Sequence, residues 1–222
     1  MMKLLLEALV KFFCGVLAVG ALVFLPAGTL DYPNGWMLFC VMFLPMFVFG
    51  FVLLFLSPDL LKKRLDIKEK EKEQKHVILL SAIMFILGFV VAGLDFRVGF
   101  SRVPTSVTLV ASGVFLFLYL LYAEVMRENA YLSRTIKVEE GQKVIDTGLY
   151  GIVRHPMYMV TVFLFLMIPL ILGSFISFVI FLVYPLVIIL RIKNEEKVLC
   201  ENLLGYKEYM KKVKYRLVPF IW

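Results

Sequence analysis

The stretch "MYMVTVFLFLMIPLILGSFISFVIFLVYPLVIILRI", Met157 to Ile192, is apolar almost from end to end. As one helix it would run roughly 54 Å at 1.5 Å per residue. A hydrocarbon core is about 30 Å thick, and tilt does not absorb that difference. The stretch supplies its own break. Gly173-Ser174 sits at its centre with Pro169 just before, a turn signal in a fitting place. The reading is two antiparallel helices, near 157–172 and 175–193, joined by a very short hairpin.

Earlier in the chain, further apolar runs lie near 8–28, 36–57, 77–95 and 105–125. The composition agrees: 61% of the residues are hydrophobic and only 18% charged, where a soluble domain carries about a quarter charged residues. In lipid, each backbone polar group must be satisfied within the fold, so such runs become helices. The expected fold is all-α, a polytopic membrane bundle of about six transmembrane helices with a C-terminal hairpin and an amphipathic tail helix. Residues 1–125 hold four spans, and residues 126–222 hold the hairpin and nearly all remaining polar chemistry. The first run lacks a small-residue cleavage site and leads directly into further spans, so it reads as a retained helix.

Lys and Arg placement tests the count. Segment 58–76 holds seven, segment 126–156 holds five, the tail from Arg191 holds eight, and Lys3 and Lys11 flank the first span. Only Arg97 and Arg102 fall in the loop between spans three and four. Six crossings put 22 of the 24 basic residues, and both termini, on one side, which the positive-inside rule makes cytoplasmic. Five crossings would strand the basic tail outside. The net charge of +7 thus has a membrane explanation, and no nucleic-acid motif accompanies it. The alternating run "IKEKEKEQKH" suits a solvated interfacial helix or loop. Cys14 and Cys40 lie in apolar runs and Cys200 in the basic tail, which gives no disulfide framework.

The tail from Asn194 carries too many charges to span. Val198, Leu199, Leu203 and Tyr206 fall at helical spacing, the pattern of an amphipathic helix docked at the membrane surface. The hairpin returns the chain to the side it left, so His155 and Glu195 sit at its two open ends. Gln142, Tyr150, Arg154, His155, Tyr158, Arg191, Glu195 and Glu196 gather there. Each has a plain structural reading. Arg154 and Arg191 could snorkel from helix ends, Glu195 could pair with Arg191 at i,i+4, and His155-Pro156 could simply start a helix. Tyr150 and Tyr158 could belong to an aromatic belt. Together they argue for function, because ionisable clusters at membrane depth are costly without it. The chain has no HExxH, CxxC, G-x-S-x-G, P-loop or strand-linked GxGxxG motif, and its two histidines make a poor metal site.

"GQKVIDTGLYGIVRHPMY", an apolar hairpin, and then "RIKNEEKVLCENLLGYKEYMKKVKYRLVPFIW" resemble the isoprenylcysteine carboxyl methyltransferase family and its prokaryotic relatives over roughly residues 126–222. The resemblance implies a methyltransferase dependent on S-adenosyl-L-methionine, with a cofactor pocket built by the last helices and the tail. By position it implies cofactor contacts from Gln142, Val144, Ile145, Tyr150, Arg154, His155, Pro156, Met157 and Tyr158. It also implies Glu195 as acidic cofactor ligand and Arg191 as the substrate arginine. Gln142 stands where the eukaryotic members tend to have His.

Elementary chemistry fits that implication. A Glu suits the cofactor's ammonium, Arg154 or His155 its carboxylate, and tyrosine faces its sulfonium. A carboxylate acceptor is ionised at neutral pH and needs no general base, so alignment carries the reaction. The expected partners are a lipid-like or prenylated acceptor and membrane lipid, with no nucleic acid and no metal. Two other readings stay open: N-methylation of a phospholipid amine, which requires proton removal, and a non-catalytic scaffold or transporter.

The charge split generates a prediction. Reporter fusions placed after Gly173 and after Trp222 should report opposite sides of the membrane, and the same side from both would rule out the hairpin.

Overall fold

A computed structural model describes residues 1–66, 72–133, 135 and 138–222. The described residues form helices and a single 3-10 turn, with no strand among them. In order these are α1 (Met2–Ala27), α2 (Pro33–Leu56), α3 (Pro58–Leu65), α4 (Lys72–Val98) and α5 (Thr105–Glu128). The 3-10 turn (Gly148–Gly151) follows, then α6 (Pro156–Leu172), α7 (Phe175–Phe181), α8 (Val183–Asn202) and α9 (Tyr206–Lys212). Five helical runs are long and apolar enough to cross a membrane: α1, α2, α4 from Gln74, α5, and α7 with α8. The sixth, α6, has 17 residues and spans about 26 Å, most of a hydrocarbon core. The polytopic bundle expected from the sequence is the fold observed.

Helix starts follow proline: Pro33, Pro58 and Pro156 each occupy a first helical position, where the missing N–H costs no bond. The hairpin turns at Gly173, whose φ of 83° ends α6 in a left-handed cap. Ser174 then caps α7 by accepting the Ser177 N–H. The descending arm breaks once, at Leu182. Pro185 has no N–H to offer the Phe181 carbonyl, which is the physical cause of that break.

Phe115, Ile168, Ile171, Leu172, Phe181 and Ile192 form the centre of the core. There α5 packs on α6, and α4 packs on α1, α7 and α8. The outward faces are no less apolar: Leu17, Phe117 and Leu120 are exposed, as in helices whose solvent is lipid. At the hairpin end, buried Asp95 of α4 accepts the Ser101 N–H (2.7 Å) and the hydroxyls of Ser101 and Ser174. The Tyr32 hydroxyl donates to the Leu172 carbonyl. These bonds fix the turn against α4 and the α1–α2 loop, so the arms of the hairpin hold their register down to its open mouth.

Three details differ from the sequence expectation. The last spanning helix continues to Asn202, not 193, because Lys193–Asn202 favours helix and leaves lipid without unwinding. The tail is accordingly two pieces, the end of α8 and the short α9. Leu203, Tyr206, Tyr209 and Val213 nevertheless close one apolar cluster with Leu199 and Val144. The run 67–76 falls partly outside the described residues, at 67–71, and its remainder enters α4. α3 is an addition: an eight-residue surface helix with Leu60 and Leu61 packed on Leu53, Leu54 and Met126.

Close approach between α1 and α4 depends on Gly93. A Cβ there would sit well inside van der Waals contact of the Val23 carbonyl and crowd Ala27 and Pro26. Gly93→Ala should therefore destabilise the detergent-solubilised protein by about 1–3 kcal/mol. Thermal unfolding measures it, and unchanged stability would show that the two helices move apart freely.

Candidate active site

The open mouth of the hairpin is built from backbone first. Pro156 begins α6, and His155 precedes it as the cap residue, its carbonyl accepting the Met159 N–H at 3.0 Å. The N–H groups of Arg154 and His155 point the other way, donating to the carbonyls of Tyr215 and Arg216 at 2.9 Å each. A short extended pairing thus joins the entrance of α6 to the tail. The facing arm, α8, brings Arg191, Glu195 and Glu196 down beside it.

Glu196 is 5% exposed and surrounded by cations. Oε1 accepts from Arg154 Nε at 2.7 Å and lies 3.4 Å from His155 Nε2, while Oε2 accepts from Arg216 Nε at 2.8 Å. Arg154, 7% exposed, also donates through Nη1 to the carbonyls of Val213 and Lys214 at 2.8 and 2.9 Å. Arg216 lies over the Trp222 ring at 5.2 Å. This is a closed polar network inside a structure that is apolar around it.

One residue earlier on α8 the chemistry faces elsewhere. The Tyr158 hydroxyl donates to Glu195 Oε2 and accepts from Arg191 Nε at 2.8 Å. The Arg191 guanidinium also lies over the Tyr158 ring at 5.7 Å, and the His155 ring stacks on Tyr158 at 5.7 Å. Arg191 and Glu195 share a face of α8, as their spacing of four requires, and the tyrosine hydroxyl links them.

These groups edge a pocket at the hairpin mouth, open on one side. The pocket gathers Gln142, Val144, Ile145, Tyr150, Arg154, His155, Met157, Tyr158, Arg191 and Glu195. Pro156 does not line it and shapes the first turn of α6. Gln142 faces the pocket from a turn of its own: its Oε1 accepts the Glu139 N–H at 2.9 Å. Sequence reasoning missed the wall formed by Asn129, Tyr131, Leu132, Ser133 and Thr135, and the floor formed by Leu203, Tyr206 and Tyr209. Tyr206 and Tyr209 had a signal, being three apart in "GYKEY" and so on one helix face. The wall had none, since its residues follow no period.

Two hydroxyls of pocket-lining residues are buried without a hydrogen-bond partner, Tyr150 Oη and Tyr206 Oη, while His155 Nε2 is turned toward Glu196 Oε1 at 3.4 Å. Burial raises the pKa values of Tyr150, Tyr206 and Tyr209 above the ordinary tyrosine value, with Glu196 and Glu195 adding to the rise at Tyr206. All three hydroxyls keep their protons at neutral pH. The Tyr209 hydroxyl is satisfied, donating to the Tyr150 carbonyl at 2.7 Å. Leaving a buried polar group unsatisfied costs about 1–3 kcal/mol, and two at one pocket suit a site shaped for something polar. The lining has groups that would suit S-adenosyl-L-methionine, the cofactor that the resemblance implies: Glu195 for its ammonium, tyrosine faces for its sulfonium, the two free hydroxyls for its polar edges, and the apolar side of Val144, Ile145 and Leu203 for its adenine.

Residues 110–201, from within α5 nearly to the end of α8, match the model of the isoprenylcysteine carboxyl methyltransferase (ICMT) family. No curated protein matches the chain. With the apolar helices, the family match supports a multi-pass integral membrane methyltransferase of that type.

Glu196→Ala tests the network. It leaves Arg154 buried beside no carboxylate, a change that costs about 3–5 kcal/mol in buried pairs, and it loosens the tail. The expected result is a lower unfolding temperature together with faster tryptic cleavage at Lys211 to Arg216. A variant as stable and as protease-resistant as the parent would show that Glu196 does not hold the tail.

Proposed function

We propose that this chain, whose residues 110–201 match the model of the isoprenylcysteine carboxyl methyltransferase family, methylates a carboxylate of a lipid-like acceptor, using S-adenosyl-L-methionine bound in the pocket at the hairpin mouth. The observation that carries the reading is the company kept there. Two unpaired buried tyrosine hydroxyls belong to the same pocket lining as an Arg and a Glu joined through one tyrosine hydroxyl. When bound, the cofactor supplies a methyl group activated on a cationic sulfur.

The chain's own residues do the rest by position. Glu195, held by the Tyr158 hydroxyl, offers its carboxylate to the cofactor's ammonium. Tyr150 and Tyr206 offer their hydroxyls to the cofactor's polar edges, with His155, Gln142, Val144 and Ile145 along its side. Arg191, oriented through Nε on the same hydroxyl, presents a planar guanidinium matched to a carboxylate. Arg154 reaches the pocket but serves mainly to hold Glu196 and the tail. No proton has to leave an ionised carboxylate, so the residues need only align oxygen, methyl and sulfur and keep water away. The acceptor enters from the bilayer and the cofactor from the cytoplasmic side, where the basic residues and both termini lie in this reading.

Two substitutions separate the roles. Glu195→Gln removes a charged hydrogen bond and should weaken S-adenosyl-L-methionine binding by about 1.5–3 kcal/mol. Arg191→Lys keeps the charge and loses the fork. Cofactor binding should survive there while methyl transfer to a prenylcysteine analogue falls roughly a hundredfold, the scale of small misplacement of reacting groups. Calorimetry and a methyl-transfer assay on both variants decide it. Equal losses in both, or none in either, would leave a surface ion pair as the better account of Arg191 and Glu195.

A further inference from the structure

The described residues of the pocket wall between Asn129 and Gln142 form turns and no helix. Their backbone bonds are turn bonds, such as Leu132 N–H to the Asn129 carbonyl at 3.2 Å and Gln142 N–H to the Glu139 carbonyl at 3.1 Å. What reaches the wall from outside is α3. Lys63 Nζ donates to Glu139 Oε2 at 2.6 Å and to the Ala130 carbonyl at 3.2 Å, and lies over the Tyr131 ring at 5.7 Å. Arg64, the next residue, donates to the Tyr122 hydroxyl and, at 3.5 Å, to the Ser133 carbonyl, with Nη1 3.6 Å from Met157 Sδ.

Beside these cations α3 is anchored. Leu60 and Leu61 are buried against Leu53 and Leu54 of α2 and Met126 of α5. The helix therefore has one side set into the bundle and two long cations extended over the wall. Lys63 and Glu139 are both only about a fifth exposed on their side chains, so water screens this pair less than a surface one. Glu139 passes the restraint on, since its backbone and Gln142 exchange hydrogen bonds in both directions. Gln142, Tyr131 and Met157 line the pocket.

We propose that α3 is a clamp on the cofactor pocket, with Lys63 and Arg64 as positioning residues that fix the wall 129–142 in its binding shape. The proposal rests on the reading of this pocket as the cofactor site. Neither residue touches the bound group: they act through Glu139, Gln142, Tyr131 and Met157. A clamp of this kind sets cofactor affinity and leaves the alignment of acceptor and methyl to α6 and α8.

The test uses the full chain in detergent with S-adenosylhomocysteine as probe. Lys63→Gln should weaken probe binding about tenfold by calorimetry while the unfolding temperature of the unliganded protein stays within about 2 °C of the parent. Lys63→Arg should keep affinity within about threefold, and the charge exchange Lys63→Glu with Glu139→Lys should recover most of the loss. Hydrogen exchange read without any ligand should rise in 129–142 for Lys63→Gln and stay unchanged in α6 and α8. That readout keeps the clamp testable even if the parent protein fails to bind the probe, a result that would overturn the cofactor reading instead. Unchanged exchange in 129–142, or an affinity loss that tracks a general loss of stability, would overturn the clamp.

Discussion

A carboxylate withdrawn from water and ringed by cations governs the polar end of this molecule. Glu196 lies where α8, the entrance of α6 and the tail meet, and each contributes a positive or polar group to it. Burying a charge is expensive unless its partners are in place together, so the three elements assemble as one unit or not at all. Geometry along α8 then separates two tasks. Consecutive helical residues diverge by about 100°, at 3.6 residues per turn. Glu196 therefore faces the tail while Glu195 faces Tyr158 and the pocket. One helix carries a carboxylate tied to the tail and a carboxylate facing the pocket side by side without their competing for the same partners.

The far end of the hairpin complements this. Asp95 gathers Ser101 and Ser174, and Tyr32 holds the Leu172 carbonyl, so the turn at Gly173 is fixed to α4 and to the α1–α2 loop. Between the two polar ends the arms are packed by bulky apolar side chains, Ile168 and Ile171 on one side, Ile188 and Ile192 on the other. In a bilayer, helix association draws little from the hydrophobic effect and depends on close packing and on such polar contacts. A hairpin tied at both ends and filled in the middle can keep Tyr158 of one arm in register with Arg191 and Glu195 of the other. The pocket inherits its geometry from that register.

How much of this was legible beforehand differs by the kind of signal. The spans and the hairpin were readable because apolar length and a Gly-Ser break are local, and the crossing count followed from where lysine and arginine fall. The hairpin-mouth cluster was readable because its members stand close to the two ends of one apolar stretch, so the turn alone brings them together. The division of labour between Glu195 and Glu196 was not, since it depends on which way each faces once the tail folds back onto Arg154. Nor was the wall 129–142, whose contacts with Lys63 and Arg64 join residues more than 60 positions apart. α3 itself had a readable start, Ser57-Pro58-Asp59, a cap residue, a first-turn proline and a first-turn acid. Its basic residues drew attention to charge and away from helix.

Placing the site at the mouth of a membrane hairpin solves a problem of phases. In the proposed reaction a highly polar cofactor must meet an acceptor whose bulk stays in lipid, and only the boundary is open to both. Such a boundary invites two opposite charges to neutralise each other. Arg191 and Glu195 are separated by four residues, a rise of about 6 Å along α8, close enough to pair directly for a few tenths of a kcal/mol. The Tyr158 hydroxyl interposes itself, receiving from one and donating to the other. A phenol at that point orients both ions and carries no net charge of its own. The arrangement leaves a cationic station and an anionic station one helical turn apart along a single wall. Under the proposed function this is the spacing at which an acceptor carboxylate and a cofactor ammonium are held on the same side of the pocket without being held by each other.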